Sequence, residues 1–313
     1  MEAYRCRGHC LRRRYAALRK ARSGFLQKGI PERSWSMKKH LSTIVLVAVF
    51  LAGVCLLLYP TVSDYWNSLH QTRAIGAYEE TLTDMTEKDY SAYFDQADAY
   101  NEALAALSFP LADYRQLSER ADLTAYAELL DVGGTGVMGY IDIDAIGVEL
   151  PIYHGTDAAV LNVAVGHLEG SSLPVGGAGT HCVLSAHRGL PSAWLFTDLD
   201  KLKQGDTFRI TVLNRLITYE VDQILIVNPD EVDALAIEEG ADYCTLLTCT
   251  PYGINTQRLL VRGRRVENAA EKPAVHVPAD MVQIDPLVVT PAVAAPMLLV
   301  LLVVLLVKYR KRG

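Results

Sequence analysis

Two uninterrupted apolar runs constrain this 313-residue chain more than any other feature. Leu41 to Tyr59 (LSTIVLVAVFLAGVCLLLY) and Leu287 to Val307 (LVVTPAVAAPMLLVLLVVLLV) contain no charged residue. Each is long enough as a helix to cross roughly 30 Å of hydrocarbon. A basic segment (Arg12, Arg13, Arg14, Arg19, Lys20, Arg22, Lys38, Lys39) precedes the first, and Lys308, Arg310, Lys311 and Arg312 follow the second. An excess of basic residues marks the cytoplasmic side. The expected topology is therefore two transmembrane helices, both termini in the cytoplasm, and residues 60–286 outside. A cleaved signal peptide is the competing reading of the first run. The sequence after it, PTVSDYW, lacks a small-residue cleavage pattern and suits an uncleaved anchor better.

The segments outside the runs divide further. Residues 1–40 read as a basic cytoplasmic tail, or as an upstream start-site artefact before Met37. Cys6 and Cys10, with His9 between them, are too few for a four-ligand zinc site. Residues 60–132 read as an extracellular helical segment and possible lid. In them Tyr93, Ala97, Tyr100, Leu104 and Leu107 recur at helical spacing from about Trp66 onward. That stripe fits either a helix packed on its own domain or a mobile cover over a cleft. Residues 133–267 read as a β domain, 268–286 as a linker, and 308–313 as a cytoplasmic tail.

Beyond Gly133-Gly134 the hydrophobic period falls from 3.6 to 2. Phe208, Ile210 and Val212 alternate with polar residues, as do Ile217, Tyr219 and Val221, with Asn214-Arg215 at the bend of a hairpin. Further short strands fit residues 137–143, 148–153, 180–186, 225–227, 243–248 and 259–265. Short helices fit 158–163 and 192–202. Many short strands between Gly/Pro turns indicate a sheet closed, or nearly closed, on itself. The formal net charge of −6 leaves no large basic surface outside the membrane, which argues against nucleic acid as a partner.

Only Cys182, Cys244 and Cys249 lie in the external part, so at least one thiol is unpaired. Cys249 ends a strand-like stretch, TLLTC, and a turn containing Pro251, Gly253 and Asn255 returns Arg258 toward it. A guanidinium favours thiolate, the nucleophilic form, and can also donate to an oxyanion. The plainer alternatives are a buried apolar cysteine and a surface arginine. Acyl transfer needs a group to protonate the leaving amine, and histidine is the usual one at neutral pH. Among His70, His154, His167, His181, His187 and His276, His187 stands out because it closes the strand-like THCVLSA. His154 and His167 sit in turn-like contexts and fit a structural role equally well.

Four stretches carry a resemblance: GVMGYIDIDAIGVELPIYHGT, GHLEGSSLPVGG, LSAHRGLPSAWLFTDLDKLKQGD and TLLTCTPYGINTQRLLVRGRR. Over roughly residues 133–266 the chain resembles the class C, pilus-polymerising sortases of Gram-positive bacteria. The family's TLxTC motif, with an arginine nine positions on, is met by Thr245 to Cys249 and Arg258, and its histidine falls on His187. The resemblance implies an eight-stranded sortase β-barrel with a helical segment before it. It also implies a cysteine transpeptidase that cleaves LPxTG-like signals between Thr and Gly through a thioacyl-enzyme and transfers the acyl group to a pilin lysine. His187 would be the acid and base, and Arg258 would orient the signal and stabilise the oxyanion. No cofactor or metal is called for, since no acidic cluster has calcium-loop spacing.

The departures are specific. The lid motif of this class, Asp-Pro-aromatic, is absent: the only Asp-Pro is Asp285-Pro286, beside the second apolar run, leaving Phe109 or Tyr114 as candidate plugs. Gln257 stands where relatives often have histidine. The rival functions are a sortase that attaches proteins to cell-wall peptide and a non-catalytic scaffold barrel. One expectation goes beyond the family. Cys182 lies five residues before His187, and Cys244 five before Cys249. If the two strands are parallel neighbours, one register pairs both sets, and the odd offset points the second cysteine pair away from the site.

Overall fold

The computed structural model describes residues 35–106 and 126–268, together with Leu299 and Leu302. The basic tail with Cys6 and Cys10, the candidate plugs Phe109 and Tyr114, the linker and nearly all of the second apolar run lie outside the described residues. Contacts divide the chain into Met1–Leu56 and Leu57–Gly313. The described part of the first unit is helical throughout.

Helix α1 runs Trp35–Leu82 without interruption, through Pro60. Its apolar stretch has a mean hydropathy of 2.5 and no burial, and it is the one helix among the described residues long and apolar enough to cross a membrane. Helical spacing places Ile75 and Tyr78 on one face, and both are buried. The Tyr78 hydroxyl donates to the Met138 carbonyl at 3.0 Å and accepts the Leu213 amide at 2.8 Å. The single helical pattern expected up to Leu107 is in fact broken after Leu82. Helix α2, Glu87–Ala105, starts with its own capping box: the Thr86 amide and hydroxyl both donate to the Asp89 carboxylate. The first of those bonds satisfies an amide that a continuous helix would have used internally. Phe94, Ala97, Tyr100 and Leu104 of α2 join the barrel's core cluster, so this helix packs on its own domain.

Eight strands close into a barrel in the order β1-β2-β3-β4-β7-β8-β6-β5. They are β1 Val137–Ile143, β2 Val148–His154, β3 Val165–His167, β4 Thr180–Ser185, β5 Thr207–Val212, β6 Arg215–Val227, β7 Asp242–Thr250 and β8 Gln257–Val266. Antiparallel pairing of β1 with β5 closes the ring. Two pairs are parallel, β2 with β3 and β4 with β7. A short helix α3, Ala158–Leu161, connects the first of these. The β5-β6 hairpin bends where the polar alternation changes phase, with Val212 opposite Arg215. Strand β3 has only three residues, too few to display an alternation, and was not separable from its flanking turns.

The helix expected over 192–202 does not form: only Leu199–Lys201 makes a single 3-10 turn. Its amides are committed elsewhere. Trp194 N–H donates to the Asp64 carboxylate and Phe196 N–H to the His187 carbonyl. A helix would need the Phe196 amide for the Ser192 carbonyl four residues back, and that carbonyl accepts from Asn67 instead.

Strand alternation sorts the barrel wall into two faces. Cys182, Leu184, Cys244, Leu246, Leu259 and Val261 belong to the interior core. Val183 and Leu260, packed with Leu168, Leu225, Val227 and Leu247, form a second cluster with Leu235. This second cluster lies on the outer face, which the segment between β6 and β7 covers.

Candidate active site

The parallel β4-β7 ladder pairs Thr180 with Asp242 through to Ser185 with Leu247. It extends one step further, where the Ala186 amide donates to the Leu247 carbonyl at 3.2 Å. His187 follows directly, so it leaves β4 beside the end of β7 that carries Cys249. On the other side, Cys249 is the Cα partner of Arg258 in the antiparallel β7-β8 pair. The connecting loop turns through Gly253 and Asn255, both at positive φ (73° and 60°). Glycine and asparagine adopt that conformation at least cost. Three residues remote in the chain are thus brought to one end of three adjacent strands, and all three are half-buried.

The threonines of TLLTC explain themselves in the fold. Thr248, 1% exposed, donates its hydroxyl to the Ala186 carbonyl at 2.8 Å. Thr245, also 1% exposed, bonds His181 Nε2 at 2.7 Å, while His181 Nδ1 lies 2.8 Å from the Ala236 carbonyl. The ring therefore donates through Nδ1 and accepts the threonine proton at Nε2. Both hydroxyls tie β7 to β4, and the Thr248 bond does so one residue before the cysteine and one residue before the histidine.

Arg188 adds a third tie. Its guanidinium pairs with Asp200, donates to the Thr197 carbonyl at 3.1 Å and reaches the Thr250 hydroxyl at 3.3 Å. It joins the residue after His187 to the residue after Cys249. The TLxTC motif marks both threonines in the sequence without giving their role, and Arg188 was signalled only by its adjacency to His187.

Arg258 Nη1 donates to the carbonyls of Gln257 and Asn255 at 3.1 and 3.3 Å, which holds the guanidinium at the loop base. It also lines a cavity of about 260 Å³ with Leu168, Val232, Leu235, Leu247 and Leu260. Arg258, the strand partner of Cys249, is the candidate site residue in its lining. Burial holds the His187 imidazolium less stable than in water, so its pKa lies below the ordinary 6.5.

The other histidines have structural partners. His154 sets its two ring nitrogens against the Gly136 and Leu129 carbonyls. His167 is fully buried, accepting from the Tyr126 hydroxyl at Nδ1 (2.9 Å) and donating from Nε2 to the Ser172 carbonyl (2.8 Å). Cys182 and Cys244 are Cα partners, both buried and both free thiols on the interior face. The register argument therefore holds, and burial pushes the Cys244 thiol well up. Among the described residues no group of three or more His, Cys, Asp or Glu is arranged to hold a metal ion.

A sortase domain model matches residues 141–266. The crystal structure of sortase C1 from Streptococcus agalactiae is 48% identical in sequence, with a TM-score of 0.57, covering 63% of this chain and all of that one. Sortase C of Streptococcus pneumoniae is 43% identical, with a TM-score of 0.55, covering 64% of this chain and 99% of that one. The chain belongs to the sortase family. These neighbours place it with the class C, pilus-related sortases, and sortases are cysteine transpeptidases. Among curated relatives, sortase D of Bacillus subtilis is 32% identical over 131 residues, 41% of this chain; the chain spans 63% of that relative's length. Sortase A of Bacillus anthracis is 25% identical over 237 residues, covering 75% of this chain and 99% of that protein. The matched segment of this sortase begins inside β1 and ends at the last residue of β8, so the family likeness coincides with the barrel.

Proposed function

We propose that this sortase is a membrane-anchored transpeptidase that joins pilin subunits outside the cell, with Cys249, His187 and Arg258 as its reacting groups. The observation that carries the reading is the pairing of Cys249 with Arg258 at the end of the β4-β7 ladder leading to His187. The cavity that Arg258 lines is walled mainly by Leu168, Val232, Leu235, Leu247 and Leu260, which suits the hydrophobic part of an extended LPxTG-like signal.

In this mechanism the Cys249 sulfur attacks the threonine carbonyl carbon, and the Arg258 guanidinium donates to the resulting oxyanion. Collapse breaks the Thr–Gly C–N bond. His187 delivers a proton to the departing glycine amine, leaving a thioester on Cys249. A lysine amine of the next pilin then attacks the thioester carbonyl. His187 takes the proton from that amine, an isopeptide bond forms, and the Cys249 sulfur is released as the leaving group. Because burial lowers the His187 pKa, the imidazolium is a minority form at neutral pH. The proton it gives must therefore be drawn from a small population.

Anchoring belongs to the same proposal. The apolar part of α1 spans the membrane, the segment from 287 to 307 spans it again, and the basic flanks keep both termini inside. The barrel then works on the outer surface.

The test uses the full chain in detergent micelles with an LPxTG-like peptide, a pilin carrying an acceptor lysine, and a peptidoglycan cross-bridge mimic. Lysine-linked pilin ladders, abolished in Cys249→Ala, are the expected result. Transfer to the cross-bridge mimic alone would instead make the protein a cell-wall-attaching sortase. Absence of any peptide cleavage would leave a scaffold barrel.

A further inference from the structure

The segment just beyond the apolar run of α1 touches the loop that carries His187. Asp64, Asn67, Gln71, Ile75 and Tyr78 follow one another at intervals of three, four, four and three, so they share one face of the helix. The two last residues are buried against the barrel. The first three are polar, and each bonds backbone of the same domain. Asp64 Oδ1 accepts the Trp194 amide at 2.7 Å, and Asn67 Nδ2 donates to the Ser192 carbonyl at 2.7 Å. Gln71 Nε2 donates to the Val163 carbonyl at 2.6 Å.

Ser192 and Trp194 belong to a tightly closed loop. The Phe196 amide bonds the His187 carbonyl at 3.2 Å, and Leu190 and Ala193 form an isolated bridge within it. Arg188 closes the same loop from the side of β7 by reaching Thr197 and Thr250. The backbone after His187 is thus held between two supports, one from the cysteine strand and one from α1. Without the second, the stretch from Gly189 to Trp194 has no regular structure to fix it, and the described residues give it no helix.

We infer that Asp64 and Asn67 are positioning residues for His187: the exit turn of the anchoring helix is part of the catalytic architecture, acting through the 192–194 backbone. This rests on the transpeptidase reading, because it assigns His187 a reaction to be positioned for. The imidazole must approach both the Cys249 sulfur and the scissile nitrogen, and misplacement by about 1 Å costs up to about a hundredfold in rate. A support lost at the far end of a short closed loop should cost part of that, about tenfold in kcat, while the groove that binds the signal remains intact.

The experiment compares full-length wild type with Asp64→Ala, Asn67→Ala, Asp64→Asn and Gln71→Ala in detergent micelles. Cleavage of the LPxTG-like peptide gives kcat and KM, and hydrogen exchange gives the protection of the Trp194 amide. Asp64→Ala should lower kcat about tenfold, leave KM unchanged and speed exchange at Trp194. Asp64→Asn keeps an acceptor oxygen and should restore both readouts. Gln71→Ala removes a bond of the same helix face to a different loop and should leave kcat at the wild-type value. The inference is overturned if Asp64→Ala turns over like wild type, or if Gln71→Ala loses as much, which would mark a general loosening of the helix. Failure of the wild type to cleave the peptide would overturn the transpeptidase reading and this inference with it. A working wild type with an indifferent Asp64→Ala would overturn the inference alone.

Discussion

Thr248 offers the sharpest test of how β4 and β7 are held together. Its side chain is 1% exposed and its hydroxyl donates to the Ala186 carbonyl at 2.8 Å, one residue from each of Cys249 and His187. Thr248→Val is nearly isosteric, so it removes the bond without opening a cavity. A net hydrogen bond contributes about 0.5–1.5 kcal/mol, and stranding a buried acceptor raises the cost to about 1–3 kcal/mol. For a domain of this size about 1 kcal/mol moves the melting temperature by roughly 2–4 °C, so a fall of about 4–8 °C is expected for a 2 kcal/mol loss. The kinetic effect should exceed the thermal one in information. With the strand ends freed, kcat should fall about tenfold or more at constant KM, since the groove formed by Leu168, Leu235 and Leu260 is untouched. Thr248→Ser keeps the hydroxyl and loses a methyl group, worth about 0.8 kcal/mol; it should melt lower than wild type yet keep most of its kcat. The assay pairs thermal unfolding with peptide cleavage on the same samples. Equal kcat in Thr248→Val and wild type, or equal losses in the valine and serine variants, would refute a role for this bond in aligning the strands.

Three further outcomes follow from the same geometry. Arg258→Ala should lower kcat by about 10²–10³, the usual loss for an oxyanion donor; Arg258→Lys keeps the charge but not the planar fork and should fall between. A kcat within about threefold of wild type in the alanine variant would remove Arg258 from the mechanism. Acidification should destabilise the fold below about pH 6.5, because burial depresses both His187 and His181 from that value, with the Arg262 charge adding to the effect on His181. Between the folded and unfolded pKa values the unfolded chain binds more protons, so stability present above 6.5 is lost as pH falls. His181→Gln should therefore lose less melting temperature than wild type between pH 7.5 and 5, and an equal or larger loss would contradict this assignment. Alkylation of the native protein, mapped by peptide mass spectrometry, should modify Cys249 while Cys182 and Cys244 react only after unfolding, given their burial. Native labelling of either would show that the β4-β7 seam opens.

Local alternation made most of the barrel legible. The strand expected over 137–143 is β1 to the residue, and those at 180–186 and 259–265 differ from β4 and β8 only at their ends. What escaped notice lacked a period or depended on partners far away. β3 is three residues long. The 192–202 segment has helical composition, yet its Phe196 amide bonds the His187 carbonyl and its Ser192 carbonyl bonds Asn67 instead. The helix break at Thr86 is marked by a capping box that the reading of one helical pattern up to Leu107 did not take into account.

The candidate residues were legible from the TLxTC motif with its returning arginine and from the strand-closing histidine, and the equal spacing of Cys182 to His187 and of Cys244 to Cys249 made their alignment legible as well. In a parallel pair, aligning one residue on each strand aligns all of them, so the Cys182-Cys244 match carries His187 to Cys249, 62 positions later in the chain. The odd offset does the rest. It sends the first pair into the core and leaves the second near the outer face, where Leu247 and Leu260 pack. The groove itself had no such signature, because Val232 and Leu235 come from the irregular stretch between β6 and β7. Nothing in their spacing ties them to Leu168 or to Arg258. Chemistry was readable where strand register governs position; recognition was not, because loops that cover a barrel are placed by the surface beneath them.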